Sequence, residues 1–227
     1  MDNRARIARK IAQDIEDGEF VNFGHGIPYS VPQYIDAGKT VFMENEPGVV
    51  CFGAGVPADP GDYECRDAMN NCVKELPGGG CFFDTAASFA MIRGGHIDKT
   101  VLGALQVDEN ANIANWAVPG RPVTGIGGAM DLCAGARQVI AAMESLTKDG
   151  KPRLKKSCDY PLTGVGVVTR VYTEMAVFDV QPGKGFTLIE KFPDYTLEEI
   201  RRRVEAEFTV SPDLKEIDLG APLAKGT

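Results

Sequence analysis

The sequence predicts an α/β fold: a mostly parallel open sheet with flanking helices, and a C-terminal part made of antiparallel strands. Three observations carry this expectation. Up to Met143, short apolar runs alternate with helical patterns, the rhythm of strand-helix-strand units. After Gly150 the pattern changes to short alternating runs separated by turn residues. With 227 residues, 44% of them hydrophobic, the chain can fill a sizeable core. No internal repeat, low-complexity tract or linker divides it, so residues 1–227 are expected to form one domain.

The elements follow in order. Ile7, Ile11 and Ile15, flanked by Ala8 and Ala12, form one apolar stripe of a helix over Arg4 to Asp17, and Gly18 stops it. Glu19 to Phe23 reads as a strand that enters the turn Gly24-His25-Gly26-Ile27-Pro28. A short helix is expected near Val31 to Ile35 and a second strand over Thr40 to Met43, with Glu44 at its end. Residues 44–62 are crowded with glycine and proline and too long for an ordinary connection, which marks a functional loop. A helix over Asp84 to Ile92 has Asp84 as its N-cap and Gly94-Gly95 as its stop. Thr100 to Val107 and Gln138 to Met143 read as buried strands. Val167 to Tyr172, Met175 to Val180 and Phe186 to Lys191 read as an antiparallel meander. A last helix is expected over Thr196 to Phe208, opened by the capping-box pair Thr196 and Glu199.

Composition excludes several function classes. A formal charge of −8, from 32 acidic and 24 basic residues, is opposite in sign to the footprint of a phosphate-backbone binder, so nucleic acid is not an expected partner. No stretch approaches the roughly 20 apolar residues that span a bilayer, and the N-terminal segment lacks the apolar core of a signal peptide. No membrane partner is expected, and the six cysteines, without a CxxC pair, read as reduced thiols in a cytoplasmic protein. A zinc site from Cys51, Cys65, Cys72 and Cys81 would have irregular spacing, and small buried apolar roles are preferred; no metal is expected.

Local chemistry offers three candidates. Glu44 stands at a strand end beside a glycine-rich loop, where open α/β sheets place their ligands, although a carboxylate there also serves as a turn cap. In Gly125-Ile126-Gly127-Gly128-Ala129-Met130-Asp131, small residues would let main-chain N–H groups approach a ligand oxygen, or simply make a tight turn. Gly24-His25-Gly26 could cradle phosphate, but Tyr29 stands where GxGxxG needs its third glycine. His25 and His96 are the only imidazoles, and no GxSxG elbow accompanies them. Walker A, HExxH and paired CxxC signatures are missing.

Longer blocks go further. Val21-Asn22-Phe23-Gly24, Glu44-Asn45, Ser88 to Asp98 (SFAMIRGGHID), Ala114-Asn115-Trp116 with Pro119-Gly120, Gly127 to Leu132 (GGAMDL), Lys148-Asp149-Gly150 and Tyr160 to Thr163 (YPLT) together resemble the family I coenzyme A transferases. In order and spacing they are similar to the B (beta) subunits of the acetoacetate, 3-oxoacid and 3-oxoadipate enzymes, over nearly the whole chain. The resemblance implies a CoA-transferase-like fold and exchange of CoA between a short acyl-CoA and a free carboxylate. No bound cofactor is implied, since coenzyme A is a substrate held transiently as a glutamyl-CoA thioester. It also implies an alpha-subunit partner within a hetero-oligomer. By position the nucleophile is Glu44 and the oxyanion-stabilising amide that of Gly128. Asn45, Gly24, Gly26, Gln106, Asn115, Gly127 and Ala129 are carried over as substrate- or CoA-binding.

One departure bears on the nucleophile. The family's Ser-Glu-Asn-Gly, followed by a Gly-x-Gly loop, meets Met43-Glu44-Asn45-Glu46-Pro47-Gly48 here, read as a two-residue insertion after Asn45 that makes Glu46 a rival. Glu44 is preferred because it keeps register with the strand over residues 40–43. An acyl-CoA hydrolase using the same residues and a non-catalytic ligand-sensing module are the alternatives, because fold alone does not fix function.

Overall fold

The computed structural model describes residues 2–46, 48–50, 80–123 and 125–220. Helix α1 (Asn3–Gln13) buries Ile7, Ala8, Ile11 and Ala12 as its stripe predicts, and Gly18 turns the chain at φ +82° into β1 (Phe20–Phe23). In place of the short helix expected over residues 31–35 stand two 3-10 turns, Pro28–Ser30 and Pro32–Tyr34, because Pro32 has no N–H to continue an α-helix. Strand β2 (Phe42–Asn45) runs two residues beyond the expected Met43. It turns into β3 (Val49–Val50), which pairs with β4 (Cys81–Phe82). Most of the glycine-rich loop expected over residues 44–62 lies outside the described residues.

Helix α2 (Thr85–Arg93) starts where Asp84 accepts a hydrogen bond from the Ala87 amide at 2.8 Å, and it ends before Gly94-Gly95 with Gly95 at φ +74°. The single strand expected over 100–107 is two: β5 (Lys99–Gly103) stays in the main sheet and β6 (Gln106–Asp108) leaves it for a small sheet with β7 (Ile113–Ala114). The Leu105 amide already bonds the Ala114 carbonyl, so the ladder changes partner between them. Helix α3 (Ala129–Gly135), which its glycine-rich start concealed, leads to β8 (Gln138–Ala142), and β9 (Leu154–Lys155) joins the small sheet beside β6.

The expected meander is present as β10 (Val168–Tyr172), β11 (Ala176–Gln181) and β12 (Gly185–Lys191), paired antiparallel. Helix α4 (Leu197–Arg203) opens with both arms of the Thr196–Glu199 capping box but stops five residues short of the expected Phe208. Phe208–Glu216 is instead β13, parallel to β12. Pro212 lies within β13, where an edge strand tolerates its missing N–H. Burial of Phe208 edge-on to Phe178, with ring centroids 5.4 Å apart, secures the strand's start.

The ten-stranded sheet has the order β13-β12-β11-β10-β8-β5-β1-β2-β3-β4. Its middle, β10-β8-β5-β1-β2, is entirely parallel. Period-2 alternation sends Val101, Ile140 and Tyr172 to one core with α1, and Leu102, Val139, Ala141 and Val171 to a second core with α2 and α3. One row breaks this apolar pattern. Glu44, Asn22 and Thr100 lie in register across β2, β1 and β5, and all three are buried. Among the described residues, no helix is long and apolar enough to cross a membrane.

Candidate active site

The parallel strands deliver their C-terminal ends to one side, and there the chain forms a cavity of about 680 Å³. Its floor is the chain leaving β1 (Phe23–Ile27) and β5 (Leu102–Leu105). One end is walled by Asn45, Glu46 and the loop Gly125–Gly128 with Ala129, and the other by Glu144, Lys148 and Arg153. This is where an open α/β sheet binds ligands.

Glu44 does not line this cavity. It is fully buried (0% exposed) within β2, where Ser88 Oγ donates to Oε1 at 2.7 Å and Asn22 Nδ2 donates to Oε2 at 2.8 Å. Thr100 Oγ1 donates in turn to Asn22 Oδ1 at 3.1 Å, so the row in register is a hydrogen-bonded chain. Among the described residues no cation pairs with Glu44. Burial pushes its carboxyl above the usual range; the Ser88 and Asn22 donors oppose that and the Glu46 charge adds to it. The sequence put Glu44 at the strand's open end, whereas β2 continues to Asn45 and encloses it.

Glu46 stands in the turn between β2 and β3, on the cavity wall. The Gly128 main chain lies against its carboxylate, and its amide favours the charged form. A Cβ on Gly128 would meet Glu46 Oε2 at 2.1 Å and Phe89 Cζ at 2.8 Å, so a side chain there would push the carboxylate and the ring aside. Burial first, and then the Asp131 carboxylate, push the Glu46 carboxyl above its ordinary value, while the Gly128 amide pulls it back. Asp131 is itself held by Arg93 Nε at 2.8 Å.

Other residues singled out in the sequence divide between wall and frame. Gly24, Gly26, Asn45, Asn115, Gly127 and Ala129 all line the cavity. The Gly24 amide is fixed on Val101 O at 2.9 Å, and Gly26 (φ +82°) and Gly127 (φ +59°) take left-handed conformations that favour glycine. Asn115 is oriented by Thr163, whose hydroxyl donates to Oδ1 at 2.7 Å. Gln106 is the exception. Its Oε1 accepts from the amides of Asp159 (2.8 Å) and Tyr160 (3.2 Å), so it clips a loop to the small sheet and does not reach the cavity. That follows from the break after Gly103, which takes β6 out of the main sheet.

His25 and Trp116 also line the cavity, and His96 does not. Sequence reasoning passed over Asn22 and Ser88 as site-forming residues, although both sit inside the motif blocks. A polar residue in register with a strand carboxylate becomes visible only once strands are paired. Of the four cysteines weighed as a zinc site, Cys51, Cys65 and Cys72 lie outside the described residues, and among the described residues no three His, Cys, Asp or Glu side chains gather to hold a metal. Burial pushes the Cys133 thiol up to about 11, which makes it a poor nucleophile.

Comparison with known proteins adds the family. The family model described as Coenzyme A transferase matches residues 4–203. The chain is 45% identical to the beta subunit of acetate CoA-transferase from Escherichia coli K12, over 94% of this chain and 97% of that one. It is 42% identical to the B subunit of 3-oxoadipate CoA-transferase from Acinetobacter baylyi, over 88% and 91%. It is also 42% identical to the human mitochondrial succinyl-CoA:3-ketoacid coenzyme A transferase 2, covering 97% of this chain but only 43% of that longer protein. In fold it is similar to glutaconate coenzyme A-transferase from Acidaminococcus fermentans (TM-score 0.74, 19% identity, 98% of this chain and 91% of that one). It is as similar to the decarboxylase AibA/AibB (TM-score 0.74, 17% identity, 96% and 89%). A transferase and a decarboxylase thus share this scaffold, and at such identities the likeness speaks for fold alone. The extent of the family match and of the two bacterial alignments establishes that this chain belongs to the coenzyme A transferase family.

Proposed function

We propose that this chain is the B (beta) subunit of an enzyme that exchanges CoA between a short acyl-CoA and a free carboxylic acid, and that Glu46, rather than Glu44, is the nucleophile. The observation that supports this most is the contact between Glu46 and the Gly128 amide on the cavity wall. The sequence agrees without a gap: the family's Ser-Glu-Asn-Gly lies on Asn45-Glu46-Pro47-Gly48, and the Gly-x-Gly that follows lies on Cys51-Phe52-Gly53. No insertion is then required. Glu44, with both oxygens occupied by Ser88 and Asn22, belongs to the frame.

The chemistry follows from these groups. The Glu46 carboxylate attacks the thioester carbonyl; the C–S bond breaks, CoA leaves as thiolate, and an acyl-glutamyl anhydride remains. The thiolate then attacks the Glu46 carbonyl, releasing the carboxylic acid as its anion and leaving a glutamyl-CoA thioester. A second carboxylate reverses both steps. The Gly128 amide is within bonding reach of a Glu46 oxygen, so it is suited to stabilise the oxyanion that develops on the glutamyl carbonyl when thiolate adds. Partial burial strips water from a weak nucleophile, and its fixed position supplies part of the roughly 7–11 kcal/mol available from orientation.

A 3-oxo acid such as acetoacetate, with acetate or succinate as its counterpart, is the substrate class we propose, by analogy with the named relatives. The alpha subunit is the proposed partner, since the bacterial relatives are named as B or beta subunits. The test is to incubate the assembled complex with acyl-CoA and locate the adduct by fragment mass spectrometry. CoA is expected on Glu46, and Glu46→Gln is expected to abolish it. CoA on Glu44, or no adduct at all, would overturn the assignment.

A further inference from the structure

The cavity's far end holds a cation that the reaction at Glu46 leaves unexplained. Arg153 lies on the wall with its Nε buried and without a hydrogen-bond partner, the one such buried side-chain atom among the described residues. Its main chain is held on both sides: the Arg153 amide donates to Ser145 O at 2.9 Å and its carbonyl accepts from the Val107 amide at 3.1 Å. Ser145 is itself buried, its amide donating to Glu174 Oε2 at 2.8 Å. A guanidinium on so fixed a base, with a buried donor left open, is preorganised for an anion that arrives from outside the chain.

Charge and distance narrow the anion. Arg4 and Lys148 line the same cavity, and like Arg153 neither has an ion-pair partner among the described residues. Against these three cations stand two carboxylates, Glu144 and, at the opposite end, Glu46, a local excess of positive charge in a chain whose net charge is −8. Ser145 follows β8, and β8 lies three strands from β2 in the order β8-β5-β1-β2, so roughly 14 Å of sheet width separate the two ends of the cavity. That is too far for the second carboxylate of a small diacid lying against Glu46. A pantetheine arm, about the length of four extended residues, spans roughly 14 Å from its sulfur to its diphosphate.

We propose that Arg153 anchors the diphosphate of coenzyme A, with Arg4 and Lys148 supplying the surrounding positive field, and that it thereby sets the reach of the thioester sulfur to Glu46. This rests on the function proposed above but is tested without turnover. Calorimetry on the assembled complex compares CoA with pantetheine, which lacks the phosphates, in the parent protein and in Arg153→Gln and Arg153→Lys. Arg153→Gln is expected to weaken CoA binding by about ten- to a hundredfold, the range for a hydrogen bond to a charged group, and to leave pantetheine unchanged. Arg153→Lys should recover part of the loss. Equal affinities for CoA in parent and Arg153→Gln, or equal losses on both ligands, overturn the proposal. So does dissociation of the complex in Arg153→Gln, since the guanidinium's partner would then be protein. Should CoA bind as expected while no adduct forms on Glu46, the nucleophile falls and the anchor stands.

Discussion

Removing the Ser88 hydroxyl tests whether the row beneath Glu46 is a working part of the frame. Ser88→Ala deletes a 2.7 Å donor to a carboxylate that is fully buried and has one other donor, Asn22. A hydrogen bond to a charged group contributes about 1.5–3 kcal/mol; taking about 2 kcal/mol, and roughly 2–4 °C per kcal/mol for a chain of this size, the thermal midpoint should fall by roughly 4–8 °C at neutral pH. The cost should also depend on pH. Because the Glu44 carboxyl is raised in the folded state, the stability it contributes is present below its ordinary 4.5 and lost as pH rises through the folded value. Without Ser88 that folded value rises further, so the Ser88→Ala deficit should be largest at neutral pH and should shrink in acid. In a Glu44→Gln background the hydroxyl can accept from the new amide, and deletion should cost no more than about 1 kcal/mol, as for a neutral pair. Thermal unfolding of the four proteins from pH 4.5 to 8 measures this directly. An equal cost for Ser88→Ala in both backgrounds at every pH would refute the reasoning.

Three further outcomes are expected. Gly128→Ala has a tolerant backbone (φ −82°) but a Cβ 2.1 Å from Glu46 Oε2, so single-turnover thioester formation should fall by about a hundredfold or more while the thermal midpoint stays within a few degrees. With Glu46 as the proposed nucleophile, transfer needs its ionised form, and its raised carboxyl places the acid limb of the pH–rate profile above the ordinary carboxylate range; Asp131→Asn removes part of that push and should move the limb to lower pH. Gln106→Ala releases the Asp159 and Tyr160 amides, so it should cost about 1–3 kcal/mol of stability, read by thermal unfolding, and leave kcat/KM of the surviving complex unchanged.

The parallel middle of the sheet and the C-terminal meander were legible because each strand is a short apolar run with its own turn signals. Three features were hidden for physical reasons. Apolar periodicity continues through Gly103-Ala104-Leu105, and nothing local says that β6 finds its partners in another sheet. Phe208 is compatible with a helix face, and only the aromatic contact with Phe178 reveals the strand it begins. α3 starts in glycines that read equally well as a turn. At the site, the walls around Gly24, Gly26, Asn115 and Gly127 to Ala129 were legible from the motif blocks. The choice between two glutamates two residues apart depended on where β2 ends. A strand over residues 40–43 leaves Glu44 open, but two added residues enclose it and put Glu46 at the turn.

No residue of helix α2 lines the cavity, yet three of its residues reach the site: Ser88 holds Glu44, Phe89 stands against Gly128, and Arg93 holds Asp131. Its end also abuts α3, where a Cβ on Gly135 would come within 2.1 Å of Ile92 O. The strand that leads to Glu46 and the loop that carries the Gly128 amide are therefore gauged from one bar rather than from two independent supports. When thermal motion shifts that bar, both move in common mode and their separation, the quantity the chemistry depends on, is preserved.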